Sequence, residues 1–233
     1  FVMKTKLPPP ILEKMIKISD EIVENNKNFS VGAGEMEEQF EIDIKILEQE
    51  ELLEFFLNVC KSYVIQAFCQ SKPFDKEKTI KEEYFTHILS MWINSQKANE
   101  YFPSHIHRDC TLSTVMFLKI PEYLPSRNII ARYSSHKGMG TDGAIEFSNS
   151  PSQDQIWGEP IMTYQPEVGD FFIFSALQRH QVYPFRTSDG KGERRSVSFN
   201  AIFTSKSEQE ALKRKRQREI NLTNPSGKKI KRY

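Results

Sequence analysis

Ile11, Met15, Ile18 and Ile22 recur at steps of four, three and four, with Leu12 and Val23 widening the stripe, directly behind Pro8, Pro9 and Pro10. That spacing predicts one face of a helix ending near Asn25 and Asn26, with its prolines where first-turn N–H groups lack partners anyway. Past Gly32 and Gly34, the residues Phe40, Ile42 and Ile44 alternate with charged ones, as in a short half-buried strand. From about Glu48 to Phe68 the apolar positions Leu53, Phe56, Leu57, Cys60, Val64 and Phe68 return to helical period and predict a second long amphipathic helix.

Beyond residue 84 the texture changes to short β-branched and aromatic runs separated by Pro, Gly, Asn and Ser. Strands are predicted over Tyr84 to Asn94, Thr111 to Lys119, Ile129 to Tyr133, Ala144 to Phe147, Ile161 to Tyr164, Phe171 to Phe174, His180 to Tyr183 and Arg195 to Phe203. Eight short strands suggest a sandwich or jelly roll, so the fold class is α+β and β-dominated, with the two N-terminal helices bracing a sheet. The loop Tyr133 to Thr141, with Gly138 and Gly140, reads as a surface turn or a flap over a pocket. Residues 208 to 219 predict a basic helix, and Pro225 to Tyr233 a disordered end. One domain over 1–205, with helices over about 8–70 and a β core over about 84–205, followed by a basic extension over 206–233, is the expected organisation.

A length of 233 residues allows one such domain with a sizeable core, and 38% hydrophobic with 27% charged residues excludes a disordered chain. No uncharged apolar run approaches the ~20 residues that cross a bilayer, so no membrane partner is expected. Cys60, Cys69 and Cys110 are odd in number and lack CxxC spacing, which argues against a disulfide framework or structural zinc and for a reducing, cytoplasmic setting. The net charge of +1 conceals an asymmetry: residues 206–233 carry +7 and the rest of the chain −6. The mildly acidic body does not suggest phosphate binding, whereas the tail could contact a polyanion or simply form a solvated basic helix.

Two of the five histidines stand together in His105-Ile106-His107-Arg108-Asp109, just before the strand Leu112 to Leu118. In an extended segment residues i and i+2 point the same way, so His107 and Asp109 can offer an imidazole and a carboxylate to one ion. With a further histidine they complete a facial triad, which leaves positions on Fe(II) open. His180, after the apolar strand Phe171 to Phe174, is placed to be the third ligand, while His87 and His136 have no comparable setting. His105 shares the same face if the segment stays extended and is an alternative ligand. Farther on, Arg194, Ser196, Ser198 and Asn200 fall on one side of a strand and Val197 and Phe199 on the other, with Arg195 at the rim. A guanidinium followed by a serine suits the far carboxylate of a dicarboxylate such as 2-oxoglutarate. Arg108 and Arg179 should point away from the ligands beside them, Cys110 reads as a packed thiol, and Trp92 and Tyr101 as core aromatics.

The order of HxD before a strand, His some 70 residues later and Arg-x-Ser on the next strand resembles the 2-oxoglutarate and Fe(II)-dependent oxygenases. Met91-Trp92-Ile93-Asn94, Glu100 to His107, Leu112-Ser113, Ile120-Pro121, Gly169-Asp170 and His180 to Phe185 are similar to the members common in marine phage genomes, as is Val31 to Gly34 before Glu37. The resemblance implies a double-stranded β-helix, the cupin-like jelly roll, and a dioxygenase that uses Fe(II), 2-oxoglutarate and O2 to hydroxylate a C–H bond with release of succinate and CO2. It implies metal on His107, Asp109 and His180, 2-oxoglutarate on Arg194 and Ser196, and a hydrogen bond from Asn94 to cosubstrate or ligand. Relatives often carry HxH followed by Asn or Gly where this chain has Asp109, and Ser-Gly or Ser-Phe where it has Ser113-Thr114. The motif order is most like that of prolyl hydroxylases, so a prolyl or other peptide side chain is the first expectation for substrate, ahead of a free amino acid, nucleobase or small metabolite. The location expected is the cytoplasm, the host's if phage-encoded. A non-catalytic β-helix module binding a partner through its basic tail is the alternative from a different class.

Overall fold

The computed structural model describes residues 1–25, 29–30, 36–70, 84–124, 141–148, 161–211 and 213–214. Strand β1 (Val2–Lys6) leads into helix α1 (Pro9–Glu24), then β2 (Phe29–Ser30), β3 (Gln39–Glu41), α2 (Ile44–Gln49) and α3 (Leu53–Gln70). There follow β4 (Tyr84–Lys97), β5 (Phe102–His105), β6 (Leu112–Lys119), β7 (Ile145–Ser148), β8 (Ile161–Tyr164), β9 (Asp170–Ser175), β10 (Arg179–Val182) and β11 (Glu193–Ser205). A seven-stranded sheet runs β1-β9-β6-β11-β4-β3-β2, and a four-stranded sheet runs β5-β10-β7-β8. Four strands of the larger sheet face the four of the smaller to make a double-stranded β-helix, and β1, β3 and β2 extend the larger sheet at its edges.

Strand alternation divides the side chains of the larger sheet between two cores. Met116 and Leu118 of β6, Phe171 and Ile173 of β9, Val197 and Phe199 of β11, and Met91 and Ile93 of β4 pack with Met15, Ile18 and Ile22 of α1 and Phe56 and Cys60 of α3. The opposite residues Val115, Phe117, Phe172 and Phe174 meet Ile145 and Phe147 between the sheets. The helices cover only one face, which leaves the space between the sheets to carry the chemistry.

The predicted first helix matches α1, with prolines in its first turn and Met15, Ile18 and Ile22 buried. The second helix starts later than its periodicity suggests. Ile44 opens α2 instead of prolonging a strand, because the Asp43 side chain accepts the Lys45 N–H at 3.0 Å and caps the helix. That helix closes at Glu50, Glu51 turns left-handed at φ 59, and α3 begins at Leu53 rather than near Glu48. Strands β1, β2 and β5 are additions to the predicted set. The predicted strand Ile129 to Tyr133, the loop Tyr133 to Thr141 except for Thr141 itself, the segment Val31 to Gly34, and the end Pro225 to Tyr233 lie outside the described residues. Of the basic tail, residues 206–211 are helical, started by a reciprocal cap in which Glu208 N–H donates to Ser205 Oγ (3.2 Å) and Ser205 N–H to Glu208 Oε2 (2.8 Å). Among the described residues no helix is long and apolar enough to cross a membrane.

Candidate metal and anion site

The cavity between the sheets is lined at one end by His105, His107 and His180, and elsewhere by Arg194, Ser196, Ser198, Asn94, Trp92 and apolar residues that include Phe117 and Phe174. The three histidines reach it from two strands and a turn. His180 on β10 pairs with His105 on β5 as antiparallel partners. His107 lies just past β5, where its N–H donates to Ala176 O at 2.8 Å. One nitrogen of each imidazole lies within 4.8 Å of the others.

Two contacts orient these rings. His105 Nδ1 meets Pro103 O at 2.7 Å and His180 Nδ1 meets Gln178 O at 2.9 Å, so each carbonyl holds a proton on Nδ1 and leaves Nε2 as the donor atom. Burial pushes all three imidazoles below their ordinary range, His107 to about 4 and His180 to about 3, with neighbouring imidazoles adding to the effect at His107 and His180 and the Arg179 charge at His105. At neutral pH they are uncharged, as metal coordination requires. Three neutral nitrogen donors on one side of an open cavity fit a first-row divalent ion with positions to spare.

Asp109 stands apart from this group. It is exposed, and its backbone is left-handed at φ 61, so the extended geometry that puts i and i+2 on one side ends before it is reached. The turn feeds the chain into β6, where Thr111 N–H donates to Ala201 O and Ala176 N–H to Thr111 O, both at 3.0 Å. The set that the structure brings together is therefore His105, His107 and His180, not His107, Asp109 and His180.

Arg194 lies across the cavity, 3% exposed. Its Nη1 donates to Gly143 O at 2.6 Å, its guanidinium carbon is 5.4 Å from the centre of the Phe117 ring, and its Nε is buried without a partner. Burial lowers its pKa to about 10, which leaves it cationic at neutral pH. Ser196 and Ser198 share its face, as alternation predicts, whereas Asn200 falls at an irregularity in the β11–β4 pairing and does not line the cavity. Arg195 takes the opposite side, pairing with Asp20 of α1 and placing Nε 2.7 Å from Glu193 Oε1. The Asn94 side-chain carbonyl accepts from Gln39 Nε2 at 2.6 Å.

Other expectations divide. Arg108 and Arg179 are exposed, Cys110 is half-buried, and His87 is exposed on β4, while His136 lies outside the described residues. Trp92 lines the cavity with its ring 6.1 Å from that of His107, and Tyr101 is exposed, so neither is a core aromatic. Sequence reasoning missed Tyr123, whose ring is brought against Gly143 beside Arg194, because nothing in its local pattern distinguishes it.

Residues 90–200 match a family model described as "Putative 2OG-Fe(II) oxygenase". Comparison with curated proteins finds no match. Among solved structures the chain is similar to a prolyl-4-hydroxylase from Pseudomonas putida, at 13% identity over 86% of this chain and 91% of that one, with a TM-score of 0.51. It is similar to SnoN, a non-haem α-ketoglutarate-dependent epimerase from nogalamycin biosynthesis, at 10% identity over 86% and 77% of the two chains, with a TM-score of 0.52. An oxidoreductase of the 2OG-Fe(II) oxygenase family from Burkholderia pseudomallei is 20% identical over 52% of this chain, which spans 46% of that protein's length, with a TM-score of 0.35. At such identities the likeness to the first two is one of fold.

Proposed function

We propose, for a chain that belongs through residues 90–200 to the 2-oxoglutarate- and Fe(II)-dependent oxygenases, that it hydroxylates a C–H bond of a prolyl or other peptide side chain, with the metal on His105, His107 and His180. Membership brings Fe(II), 2-oxoglutarate and O2 as the cofactor and cosubstrates. When bound, the iron couples the reduction of O2 to oxidative decarboxylation of 2-oxoglutarate, giving succinate and CO2, and to oxidation of the substrate. The observation that carries the reading is that three neutral imidazoles and a buried guanidinium face one cavity.

The protein's own residues then have separable tasks. His105, His107 and His180 present nitrogen lone pairs, two of them aimed by carbonyls at Nδ1. Arg194 offers N–H donors to the far carboxylate, and Ser196 adds a hydroxyl on the same face. Asn94, held by Gln39, orients a ligand at the same wall. Phe117, Phe174, Ile145 and Val115 keep water from the reacting centre. What supports three imidazoles over an acid at position 109 is the exposure and left-handed backbone of Asp109. The preference for a peptide substrate rests on the fold shared with a prolyl-4-hydroxylase and on the order of histidines followed by Arg-x-Ser along the chain.

The test begins with anaerobic titration of the protein with Fe(II) and 2-oxoglutarate, where a weak visible charge-transfer band is expected. Succinate release is then measured with peptide, amino-acid and oligonucleotide panels. Stimulation by prolyl peptides is expected. Stimulation only by amino acids or oligonucleotides would transfer the assignment to those substrates, and an absent band would support a non-catalytic module.

A further inference from the structure

Three polar residues stand side by side across the larger sheet. Asn200 of β11 pairs with Ser113 of β6 on one side and with Ser90 of β4 on the other. Alternation puts Ser113 on the same side of β6 as Val115 and Phe117, Asn200 on that of Ser196 and Ser198, and Ser90 on that of Trp92 and Asn94, and these neighbours all line the cavity. The row therefore continues the cavity wall just beyond its lining, at the histidine end. Ser113 also pairs with Phe174, whose ring is 4.7 Å from that of His180, and Trp92, two residues past Ser90, has its ring 6.1 Å from that of His107.

Two of these groups are buried and unpaired: Ser113 Oγ and Asn200 Oδ1 bond neither to each other nor to any other described residue. The threonines on either side of Ser113 behave differently. Thr111 Oγ1 donates to Ala201 O at 3.2 Å and accepts the Phe203 N–H at 2.7 Å, and Thr114 Oγ1 closes both of its bonds on Phe199. β6 can thus satisfy a hydroxyl against β11, and the exception at Ser113 calls for a partner from outside the sheet. Asn200 Oδ1 needs a donor, while the Ser113 hydroxyl can give its proton to an acceptor. No charged side chain belongs to the row. An extended peptide offers what it lacks, since the N–H and C=O of one residue point to the same side. A row across three strands is about 10 Å long, the span of roughly three such residues. Leu89, left without a partner where pairing slips from Asn200–Ser90 to Ala201–Ile88, and Leu177, next to the Ala176 carbonyl that accepts the His107 N–H, are 47% and 71% exposed and offer apolar contacts beside it.

We propose that Ser113 and Asn200 determine specificity by binding the main chain of the substrate beside the carbon to be oxidised, so that the substrate is a peptide segment rather than a free amino acid or a nucleobase. The inference rests on the proposed oxidation of a peptide side chain. A residue flanking the target donates its N–H to Asn200 Oδ1 and accepts the Ser113 hydroxyl at its C=O. A free amino acid presents an ammonium and a carboxylate instead, and the neutral row answers neither.

The experiment measures binding of acetyl-Ala-Pro-Ala-amide, of two ester analogues in which oxygen replaces the N–H of the first or the last alanine, and of free proline. The whole chain is used, anaerobically, with Mn(II) and 2-oxoglutarate, and Mn(II) affinity and thermal midpoint are recorded beside it. Wild type is expected to bind the tripeptide at least about tenfold more tightly than proline, and one of the esters about three- to tenfold more weakly than the amide, the worth of one hydrogen bond. Asn200→Leu should lose the distinction between amide and ester, and Ser113→Ala should weaken the tripeptide severalfold. Both should keep Mn(II) affinity and a midpoint no lower than that of wild type, because atoms unpaired in the free protein do not hold its fold. Esters that bind wild type as tightly as the amide overturn the inference, as does an Asn200→Leu variant that still tells them apart. A lowered midpoint in Ser113→Ala with tripeptide binding unchanged would make the hydroxyl merely structural and overturn it too. Proline bound as tightly as the tripeptide, or a short oligonucleotide bound in its place, overturns the inference and leaves the oxygenase chemistry standing. An absent charge-transfer band with Fe(II) and 2-oxoglutarate overturns the proposed function instead, and the amide–ester comparison, which needs no turnover, still decides this inference.

Discussion

His105 and His180 are direct partners across adjacent antiparallel strands, with ring centroids 4.2 Å apart and each Nδ1 held by the carbonyl two residues before it. The two strands thus present imidazoles of the same tautomer to the cavity by the same local device. His107 joins them from the turn beyond β5.

Substitution should separate ligands from neighbours. His105→Ala, His107→Ala and His180→Ala are each expected to lower Fe(II) or Mn(II) affinity by more than about a hundredfold, beyond what loss of an outer-shell partner costs. Asp109→Ala should hold metal within a fewfold of wild type. Calorimetric titration under anaerobic conditions checks this, and metal loss in Asp109→Ala with retention in His105→Ala would restore the acid as a ligand.

The two adjacent arginines should fail in different ways. Arg194→Ala removes a buried cation from the cavity and is expected to weaken 2-oxoglutarate by roughly 2 to 5 kcal/mol while sparing the metal. Arg195→Ala should leave 2-oxoglutarate affinity nearly unchanged and lower the thermal midpoint, because it breaks contacts to Asp20 and Glu193. A stability loss of about 1 to 3 kcal/mol corresponds to several degrees for a chain of this size. The reverse pattern in paired binding and melting curves would mean that β11 is offset by one residue.

Acid should weaken the fold through Glu193. Burial opposes its ionisation, but hydrogen bonds from Arg195, Lys119 and Ser95 outweigh that and hold its pKa down to about 2. Between its ordinary value near 4.5 and about 2 the unfolded chain binds a proton that the folded one does not, so stability rises with pH across that window. The contribution is complete above the window and lost below it. Denaturant midpoints measured from pH 5 to pH 2 should therefore fall less steeply in Glu193→Gln than in wild type, and parallel curves would remove Glu193 from the account.

Removal of residues 206–233 should leave folding and 2-oxoglutarate turnover intact, since the tail follows the last strand of the sheet. Any affinity for heparin or oligonucleotides should go with its seven net positive charges. Loss of iron or of solubility in the truncated chain would show that the tail helix packs on the body.

Much of this architecture is legible in the sequence because alternation and period are local properties. Ile161 to Tyr164 is a strand as predicted, and the opposed faces of β11 place Arg194 and Arg195 on different sides. What escapes is decided by single backbone angles or by distant chain. β5 contains Pro103, which counts against a strand except at an edge, and β5 is an edge. The break at Glu51 is hidden because Leu47, Leu52 and Phe56 keep nearly helical spacing across it. The choice between His105 and Asp109 turns on the left-handed conformation of Asp109, which aspartate tolerates but does not announce. Tyr123 and Gly143 meet only through folding, and neither belongs to a motif.

Thr114 gives the cavity floor an unusual seam. Its hydroxyl donates to Phe199 O and accepts from Phe199 N–H, both at 3.1 Å, so a side chain takes a rung that main chain would fill between β6 and β11. The same residue lines the cavity. The spacing of two central strands beside the cavity is thereby set in part by one small hydroxyl, and a single replacement there is expected to change the width of the chamber without altering any histidine or arginine.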